Sequence, residues 1–277
     1  MSNPTTRAGF IGLGSQGGPM ARSIVERGLP LTIWARRPES LEPYADTAAA
    51  VAATPAELGA ASDVVGICVM GDADVEDVVL RADGVLAGMS PGGVVAIHST
   101  IHPDTVASIA AAAAQRGVGV VDAPVSGGGG AAAKRELLVM VGGDVEHLAR
   151  CRPVFDTFAA EVIHLGPLGS GQIAKLVNNF VFMALVSVGL DTFALADDLG
   201  MDRSALAAVL ARGSGGSRAA AILASSGFDL SGMRGAVATL EKDMRIVLDV
   251  AHGRDVAEPA AIVELAQRTL TTLLEGS

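Results

Sequence analysis

Aromatic residues, cysteine and positive charge are all scarce in this sequence of 277 residues. Only 3% of the chain is aromatic although 50% is hydrophobic, so its core must be built from closely packed Ala, Val, Leu and Ile. Two cysteines, Cys68 and Cys151, do not make a disulfide framework, and no Cys/His cluster indicates zinc. Cys68 lies in an apolar, strand-like run, which predicts a buried and inert thiol.

The shortage of Lys and Arg excludes one class of partner. Against 30 acidic residues there are 20 basic ones, which gives a net charge of −10 and a pI of about 4.9. The chain therefore lacks the excess of Lys and Arg that is typical of a nucleic-acid-binding protein, and we expect no nucleic-acid partner. A small anionic substrate is still compatible with this balance, because a small site can be locally basic.

Long apolar runs are also lacking. Residues 1–7 are polar and do not contain the apolar segment of a signal peptide. The most apolar run, 180–190, has 11 residues, fewer than the roughly 20 that span a bilayer. We therefore predict a soluble, cytoplasmic protein with no membrane partner.

A GxGxxG motif near the N-terminus is the first informative feature. Segment 8–11 predicts a strand, a helix follows the motif and ends before Gly28, and 29–34 predicts a second strand. In this context the first glycine allows a tight turn, the second lets the backbone approach a pyrophosphate, and the third lets helix pack on strand. The alternative is a glycine-rich turn without a ligand. We expect a dinucleotide to contact the whole loop: Gly12, Leu13, Gly14, Ser15, Gln16 and Gly17.

The end of the second predicted strand bears on which dinucleotide binds. A site for NAD usually has Asp or Glu there to accept the ribose 2′-OH, whereas this chain has Arg36 and Arg37 and no carboxylate until Glu39. Two guanidinium groups suit a 2′-phosphate, so the sequence favours NADP over NAD. The alternative is that one or both arginines are solvated or pair with nearby acids.

Short apolar strands and helices continue to alternate up to residue 165. This pattern predicts an α/β, Rossmann-type domain with a parallel sheet covered by helices on both faces. Ligands bind beyond the carboxyl ends of the strands in such sheets. Three loops there contain polar residues or glycine: 70–72, 98–100 and 122–128.

A serine followed by four glycines occupies 126–130 in the last of these loops. The hydroxyl of Ser126 and the successive backbone N–H groups of Gly127 and Gly128 would form a nest for an anion such as a carboxylate. A flexible loop is the alternative. In the loop before it, His98 lies next to Ser99, but no nucleophile elbow is present, so we expect a structural or cofactor-lining role there.

The pattern changes after residue 165, where only helical segments follow a linker. We predict a dinucleotide-binding domain at 1–165 and an all-α domain at 166–277. The first helix of the second part, 170–199, would be roughly 45 Å long. Near its start, Lys175, Asn178 and Asn179 have i, i+3 and i+4 spacing, which puts them on one helix face. They are suited to a small polar ligand, and a solvated polar face is the alternative.

Four motifs together resemble those of the β-hydroxyacid dehydrogenase family. This group includes 3-hydroxyisobutyrate dehydrogenase, tartronate semialdehyde reductase and the glyoxylate/succinic semialdehyde reductases, and it is distantly related to 6-phosphogluconate dehydrogenase. The resemblance covers nearly the whole chain. In family order the motifs are Gly9-Phe10-Ile11-Gly12-Leu13-Gly14 with Gly17-x-Pro19-Met20-Ala21, Asp122-Ala123-Pro124-Val125-Ser126-Gly127-Gly128, Gly169-x-Gly171-x-x-x-Lys175-x-x-Asn178-Asn179, and Lys242-Asp243.

The resemblance implies an NAD(P)-dependent oxidoreductase that interconverts a small aldehyde- or keto-acid and its hydroxyacid. It implies that Lys175 is the catalytic acid/base, that Asn179 binds the substrate, and that Lys242 lies beside substrate and nicotinamide. By spacing alone, Lys242-Asp243 would instead predict an ordinary surface pair. The resemblance further implies a homodimer or homotetramer assembled through the helical half. Its remaining implied contacts are Ser126, Gly127 and Gly128 with the substrate carboxylate, and Met70, Ser99 and Thr100 with the cofactor.

The residues also weigh against two other functions. Lys175 argues against an imine or ketone reductase on the same scaffold, because related imine reductases usually have another residue there. A catalytically silent dinucleotide-binding protein would not need Lys175, Ser126, Asn179 and Lys242 together.

Several departures from the family pattern concern the ligand sites. Met70-Gly71-Asp72 replaces an apolar residue and a proline near the cofactor. Gln16 stands where the family usually has Met. Gly235, beside Arg234, stands where the family often has a Phe that walls the substrate pocket. We therefore expect either a larger pocket or a contact from Arg234 to a second anionic group.

Overall fold

The computed structural model describes residues 5–275, and the chain divides into two compact units between Lys175 and Leu176. Strands and helices alternate in the first unit, and the described part of the second contains helices. In order, the strands are β1 Ala8–Ile11, β2 Leu31–Trp34, β3 Ala50–Val51, β4 Val64–Ile67, β5 Val94–Ile97, β6 Gly119–Asp122, β7 Val125–Ser126, β8 Leu137–Gly143 and β9 Ala159–His164.

Helices α1 to α7 belong to the first unit, α8 begins there and continues into the second, and α9 to α12 belong to the second. Short 3₁₀ segments occur at Pro38–Ser40, Glu42–Tyr44 and Ser231–Ala236. The helices are α1 Gly17–Glu26, α2 Pro55–Ala60, α3 Asp72–Leu80, α4 Val85–Gly88, α5 Pro103–Ala114, α6 Gly128–Lys134, α7 Val145–Phe155, α8 Ser170–Asp198, α9 Arg203–Leu210, α10 Arg218–Ser225, α11 Val237–His252 and α12 Ala260–Glu275.

The strands of the first unit form one sheet in the order β3-β2-β1-β4-β5-β6-β8-β7, with β9 beside β8. From β3 to β6 all neighbours are parallel, with Ala8 in register with Leu31 on one side and Val64 on the other. The chain therefore reverses its direction of travel across the sheet between β1 and β4. This arrangement confirms the predicted doubly wound α/β domain and creates a crevice at the reversal point.

The central strands are buried along their whole length because helices cover both faces of the sheet. Every residue of β1, β4, β5 and β6 is buried. One face packs around Phe10, Ile24 and Phe155, and the other around Ile67 and Ile97. This burial on two faces explains why the strands are continuous apolar runs and not alternating ones.

The structure corrects one local prediction in this unit and excludes one alternative. First, β8 runs antiparallel to β6, so the sheet is parallel only as far as β6 on that side. Second, the glycine- and alanine-rich segment, for which a flexible loop was the alternative, is helical at α6. Alanine favours helix, but a stretch of glycine and alanine has no apolar periodicity from which a helix could be recognised.

Helix α8 is also long and apolar enough to cross a membrane, by length and composition alone. The run 180–190 has no charge but only 11 residues, whereas an 18-residue window of α8 that contains few charges is apolar enough to span a membrane. Of that window, 44% is buried inside the protein, and buried core helices of soluble proteins pass the same test. Length alone therefore does not exclude a membrane span, and the burial of this window gives the simpler reason for its apolar sequence.

The second unit has its own core around the later part of α8. Phe180 and Met183 of α8 pack with Leu240 and Met244 of α11 and with Leu273 of α12. A smaller cluster joins α8 to α10. These contacts explain why α8 stays apolar after its polar beginning.

Candidate active site

The glycine-rich loop after β1 has the three local features that a dinucleotide requires. Gly12 has φ of +99°, and a Cβ there would lie 2.1 Å from the carbonyl oxygen of Cys68. A Cβ on Gly17 would lie 2.0 Å from the carbonyl oxygen of Gly12, so α1 packs directly on the loop. A Cβ on Gly14 would meet nothing within 4 Å, which leaves that backbone open to a ligand. The loop thus fits the cofactor expected of this motif.

A cavity of about 440 Å³ lies beside this loop, at the point where the strand order reverses. Its size is suited to part of a dinucleotide. The structure brings six of the predicted cofactor residues together in its lining: Gly12, Leu13, Gly14, Arg36, Arg37 and Met70.

The two arginines in this lining also pair with acids. Nη2 of Arg36 lies 3.2 Å from Asp74 and 3.3 Å from Asp77, and Nε of Arg37 lies 3.8 Å from Glu39. Both guanidinium groups stay accessible, since the side chains are 62% and 75% exposed. The sequence left two possibilities for these arginines, a basic site for a ligand and ion pairs with nearby acids. In the structure both arginines line the cavity and also pair with acids.

Ser99 supports the cofactor crevice from inside the fold. Its hydroxyl accepts a hydrogen bond of 2.8 Å from the N–H of Val69 and donates one of 2.9 Å to the carbonyl of Val69. The residue is 4% exposed. The hydroxyl therefore holds the loop that carries Met70, which is 73% exposed, while Thr100 lies half-buried beside it.

The predicted carboxylate-binding segment lies against the cofactor loop. Ser126 ends β7, and Gly127 and Gly128 follow with φ of +130° and +73°, a conformation that favours glycine. A Cβ on Gly129 would lie 2.4 Å from the carbonyl oxygen of Ser15. The two glycine-rich segments of the first unit are therefore in direct contact.

A buried carboxylate fixes the beginning of α8. Asp122 is fully buried, and its two oxygens accept hydrogen bonds of 2.7 Å from the N–H groups of Gly169 and Gln172. Burial raises the pKa of Asp122, and the backbone N–H groups oppose that rise because they stabilise the ionised form. Asp122 thus satisfies backbone donors that the first turn of a helix leaves unpaired.

Gln172 makes a second attachment at the same place. Its Nε2 donates to the carbonyl of Ser99 over 2.9 Å, and its Oε1 accepts from the N–H of Ile101 over 3.1 Å. Gln172 is fully buried. Lys175 comes three residues later, one helical turn along α8, and is half-buried. These contacts lie within the first unit, so the backbone that carries Lys175 is fastened to the carboxyl edge of its sheet.

In the second unit, one carboxylate contacts both predicted substrate residues. Nδ2 of Asn179 donates to Asp243 over 2.7 Å, and Nζ of Lys242 lies 2.9 Å from the other carboxylate oxygen. Asp243 is 1% exposed. Oδ1 of Asn179 accepts from Asn178 over 3.2 Å. The pair Lys242–Asp243 is therefore no ordinary surface pair, because Asp243 is buried and joins α11 to α8.

Three functional candidates, Asp122, Gln172 and Asp243, received no role from the sequence reasoning. Asp122 and Asp243 are the acidic members of two motifs, and Gln172 lies inside a third. An acidic or amide side chain within a motif was the available signal. Its use, to cap a helix or to hold another side chain, depends on contacts between residues far apart in the chain.

His98 and the cysteines carry no sign of a catalytic or metal role. Nδ1 of His98 lies 2.7 Å from the carbonyl oxygen of Ala123, and burial among phenylalanines lowers its pKa to about 4. Burial raises the pKa of the Cys68 thiol to about 12, as expected for an inert thiol. Among residues 5–275 there is no group of His, Cys, Asp or Glu arranged to hold a metal ion.

Comparison with known proteins agrees with this geometry. Residues 7–166 match the NAD binding domain of 6-phosphogluconate dehydrogenase, and residues 169–276 match a domain described as NAD-binding of NADP-dependent 3-hydroxyisobutyrate dehydrogenase. The chain belongs to the β-hydroxyacid dehydrogenase family. This dehydrogenase is accordingly an NAD(P)-dependent oxidoreductase acting on hydroxyacids, and both the predicted family and the predicted enzyme class are confirmed.

Individual relatives support the same assignment. An NAD-dependent L-serine dehydrogenase of Pseudomonas aeruginosa is 36% identical over 207 residues, which are 75% of this chain and 70% of the relative. A 3-hydroxyisobutyrate dehydrogenase of the same organism is 34% identical over 211 residues, 76% of this chain and 71% of the relative. The solved structure of Mycobacterium tuberculosis 3-hydroxyisobutyrate dehydrogenase with L-serine has a TM-score of 0.85 at 28% identity, covering 98% and 94% of the two chains.

Proposed function

We propose that this dehydrogenase interconverts a small β-hydroxyacid and the corresponding aldehyde- or keto-acid, that it prefers NADP(H), and that Lys175 exchanges the proton. The observation that carries the proposal is the attachment of the first turn of α8. Asp122 and Gln172 hold that turn at the carboxyl edge of the sheet, in the unit that also contains the cofactor cavity. A lysine fixed at this edge is suited to proton transfer beside a bound nicotinamide.

The chemistry divides between the cofactor and the chain. The nicotinamide, when bound, supplies or accepts the hydride at the substrate carbon. In reduction, the ammonium of Lys175 donates a proton to the carbonyl oxygen as negative charge develops there. In oxidation, the neutral amine of Lys175 accepts the hydroxyl proton, so one residue serves both directions.

The substrate carboxylate is assigned to the segment that begins at Ser126. A hydroxyl and the N–H groups of Gly127 and Gly128 can donate to the two oxygens of one carboxylate. L-serine and 3-hydroxyisobutyrate, for which the two relatives are named, each carry a hydroxyl on the carbon β to a carboxylate. This shared pattern supports a β-hydroxyacid as the substrate class.

The substrate's hydroxyl side is assigned to Asn179, and the position beside the nicotinamide to Lys242. Asp243 holds both side chains, so we assign it a positioning role. The preference for NADP rests on Arg36 and Arg37 in the cavity lining.

The size of the substrate is tied to the segment before α11. A Cβ on Gly235 would meet nothing within 4 Å, and Arg234 beside it is exposed. We propose that this segment accepts a substrate longer than three carbons or one with a second anionic group. Faster turnover of methylmalonate semialdehyde, which has four carbons, than of tartronate semialdehyde, which has three, would agree with a longer substrate. A larger loss of kcat/KM in Arg234→Ala for a dicarboxylic keto-acid such as oxaloacetate than for these monocarboxylates would identify a contact to a second anionic group.

The experiment that tests the proposal follows the nicotinamide absorbance of purified protein. NADPH is mixed with glyoxylate, succinic semialdehyde, tartronate semialdehyde or methylmalonate semialdehyde, and NADP⁺ with L-serine or 3-hydroxyisobutyrate. Matched aldehydes without the carboxylate, and a cyclic imine, are the controls. We expect turnover of tartronate or methylmalonate semialdehyde, whose products are β-hydroxyacids, and at least tenfold slower turnover of the controls. Turnover of glyoxylate or succinic semialdehyde alone would replace the β-hydroxyacid class with an α- or γ-hydroxyacid. Turnover of the imine or of a neutral ketone without turnover of any acid would contradict the proposal.

Cellular location and assembly stay predictions. We expect the protein in the cytoplasm, as a homodimer or homotetramer formed through its helical domain. Light scattering of the purified protein gives the number of subunits, and deletion of α12 with retention of that number would contradict the assigned interface.

A further inference from the structure

Side chains from two helices hold the backbone of residues 99–102, which lie between β5 and α5. On one side is Gln172, at the beginning of α8. It accepts a hydrogen bond of 3.1 Å from the N–H of Ile101 and donates one of 2.9 Å to the carbonyl of Ser99. The position of the first turn of α8 therefore depends on the position of this segment.

Asp72, the first residue of α3, holds the same segment from another side. Its Oδ1 accepts a hydrogen bond of 2.8 Å from the N–H of His102 and one of 2.7 Å from the hydroxyl of Thr105. His102 immediately precedes α5, and Thr105 lies in the first turn of that helix. Hydrogen bonds to a carboxylate are stronger than those between neutral groups, and Asp72 is half-buried. Asp72 therefore fixes the place where α5 begins.

The two attachments are adjacent in the backbone. The N–H groups of Ile101 and His102 are consecutive, and the first contacts α8 while the second contacts α3. A shift of this backbone after loss of the Asp72 contacts would consequently reach Gln172 and the helical turn that follows it. Lys175 lies on that turn, and a displacement of about 1 Å can lower a reaction rate by about 10²-fold.

Asp72 itself is not in the lining of the cofactor cavity, which includes its neighbours Met70 and Asp74. Asp72, the residues that it contacts and Lys175 all belong to the first unit. An effect of the Asp72 carboxylate on the reaction would therefore pass through other residues of this unit.

We propose that Asp72 is a positioning residue for the proton transfer. It fixes segment 99–102, the segment fixes Gln172, and Gln172 fixes the turn of α8 that carries Lys175. The proposal rests on the proposed role of Lys175 and adds a residue that acts without contacting the substrate.

Four variants separate this role from a merely structural one. Asp72→Ala removes both hydrogen bonds, whereas Asp72→Asn keeps an acceptor, because both contacts use the same oxygen. Thr105→Val removes one of the two bonds and keeps the carboxylate, so it tests the same contact if Asp72→Ala does not fold. Glu76→Ala, at an exposed acidic residue of the same helix α3, is the matched control.

Three quantities are measured for each variant. The first is the single-turnover rate of reduction of the best acid substrate at saturating NADPH, well below the melting temperature. The second is the dissociation constant of NADPH by calorimetry. The third is amide hydrogen exchange by mass spectrometry in peptides that cover 99–105, 169–175 and, for comparison, 17–26 in α1.

We expect Asp72→Ala to lower the single-turnover rate by about tenfold or more, and the dissociation constant of NADPH to stay within about threefold. Hydrogen exchange should become about tenfold faster in 99–105 and 169–175 and stay unchanged in 17–26, because the loss of order is local. Thr105→Val should change the rate in the same direction by about threefold, since one bond remains. Asp72→Asn and Glu76→Ala should behave like the parent.

Several results would overturn the proposal. One is an unchanged single-turnover rate in Asp72→Ala, and another is an equal loss of rate in Asp72→Asn, which keeps the acceptor. Weaker NADPH binding with an unchanged rate at full occupancy would assign Asp72 to the cofactor instead. A lower melting temperature with unchanged rate and unchanged exchange in 169–175 would leave it a structural role alone.

The exchange measurement does not need turnover. If the parent protein reduces no acid, the proposed function fails, and faster exchange in 169–175 of Asp72→Ala still shows that Asp72 holds this turn. If the parent is active and exchange in 169–175 is unchanged, the positioning role fails alone. The two failures are therefore distinguishable.

Discussion

The carboxylate of Asp243 accepts a hydrogen bond of 2.7 Å from the side-chain amide of Asn179, which lies 64 residues earlier in the chain. Its other oxygen is 2.9 Å from the ammonium of Lys242. Because Asp243 is 1% exposed, water cannot easily replace either contact. One buried charge thus sets the orientation of an amide and an ammonium that we assign to substrate and cofactor.

Replacement of that charge gives the first prediction. Asp243→Asn removes the negative charge but keeps the shape, so the ammonium of Lys242 loses its ionic partner. We expect kcat/KM to fall by about tenfold or more and the free energy of unfolding to fall by about 1–3 kcal/mol. Steady-state kinetics and urea titration measure the two effects. Glu241→Gln, at an exposed position on the same helix, is the control, and an equal effect there would contradict a specific role for Asp243.

The cofactor preference gives the second prediction. Arg37→Ala should raise the KM for NADPH by about tenfold and leave that for NADH nearly unchanged, because the guanidinium would lose a charged hydrogen bond to the 2′-phosphate. Arg36→Ala should have a smaller effect, since Arg36 already pairs with Asp74 and Asp77. Equal changes for the two cofactors would show that neither arginine distinguishes them. Arg152→Ala, which affects a distant exposed pair, serves as the control.

The attachment of α8 gives the third prediction. Gln172→Leu leaves the buried carbonyl of Ser99 and the buried N–H of Ile101 without a partner, so the free energy of unfolding should fall by about 2–5 kcal/mol. Turnover should fall as well, since Lys175 lies one turn further along the same helix. Thermal melting and kcat are the measurements. Unchanged stability, equal to that of the exposed control Gln115→Leu, would contradict the assigned contacts.

The burial of His98 gives the fourth prediction, which concerns pH. Its pKa is lowered to about 4 in the fold, chiefly by burial, whereas an unfolded histidine titrates near 6.5. Between these values the unfolded state binds more protons, so stability should fall as pH drops from 6.5 to 4, by about 3 kcal/mol in total. Above pH 6.5 this contribution is fully present. Urea titrations from pH 4 to 8 on the parent and on His98→Asn measure it, and an equally steep loss in the variant would assign the acid sensitivity to other groups.

Much of the fold follows from local sequence signals. Continuous apolar runs such as Val94–Ile97 predict strands buried on two faces, and the glycines at 12, 14 and 17 have specific conformational roles that GxGxxG already implies. The direction in which two strands pair, parallel or antiparallel, does not follow from such local signals. The antiparallel position of β8 depends on how the chain returns past β6, and the residues of Leu137–Gly143 alone give no sign of direction.

In the candidate site, too, local sequence predicts some features and contacts between distant residues determine the others. The i, i+3, i+4 spacing places Lys175, Asn178 and Asn179 on one face of a helix without any structure. What holds them does not follow from spacing, because Asp122 and Asp243 reach their partners across 47 to 64 residues of chain. Asp243 of the Lys242–Asp243 pair is buried and contacts Asn179, although spacing alone predicts a surface pair, because local sequence gives no measure of burial there.

We propose that Lys175 transfers the proton, so a variant without its ammonium should lose the chemical step and keep the cofactor. Lys175→Ala is compared with the parent protein in single-turnover reduction of its best acid substrate, with cofactor affinity measured separately. We expect the rate to fall by about 10²–10⁴-fold, with the dissociation constant of NADPH within about threefold of the parent. A rate within tenfold of the parent, at full cofactor occupancy, would contradict it.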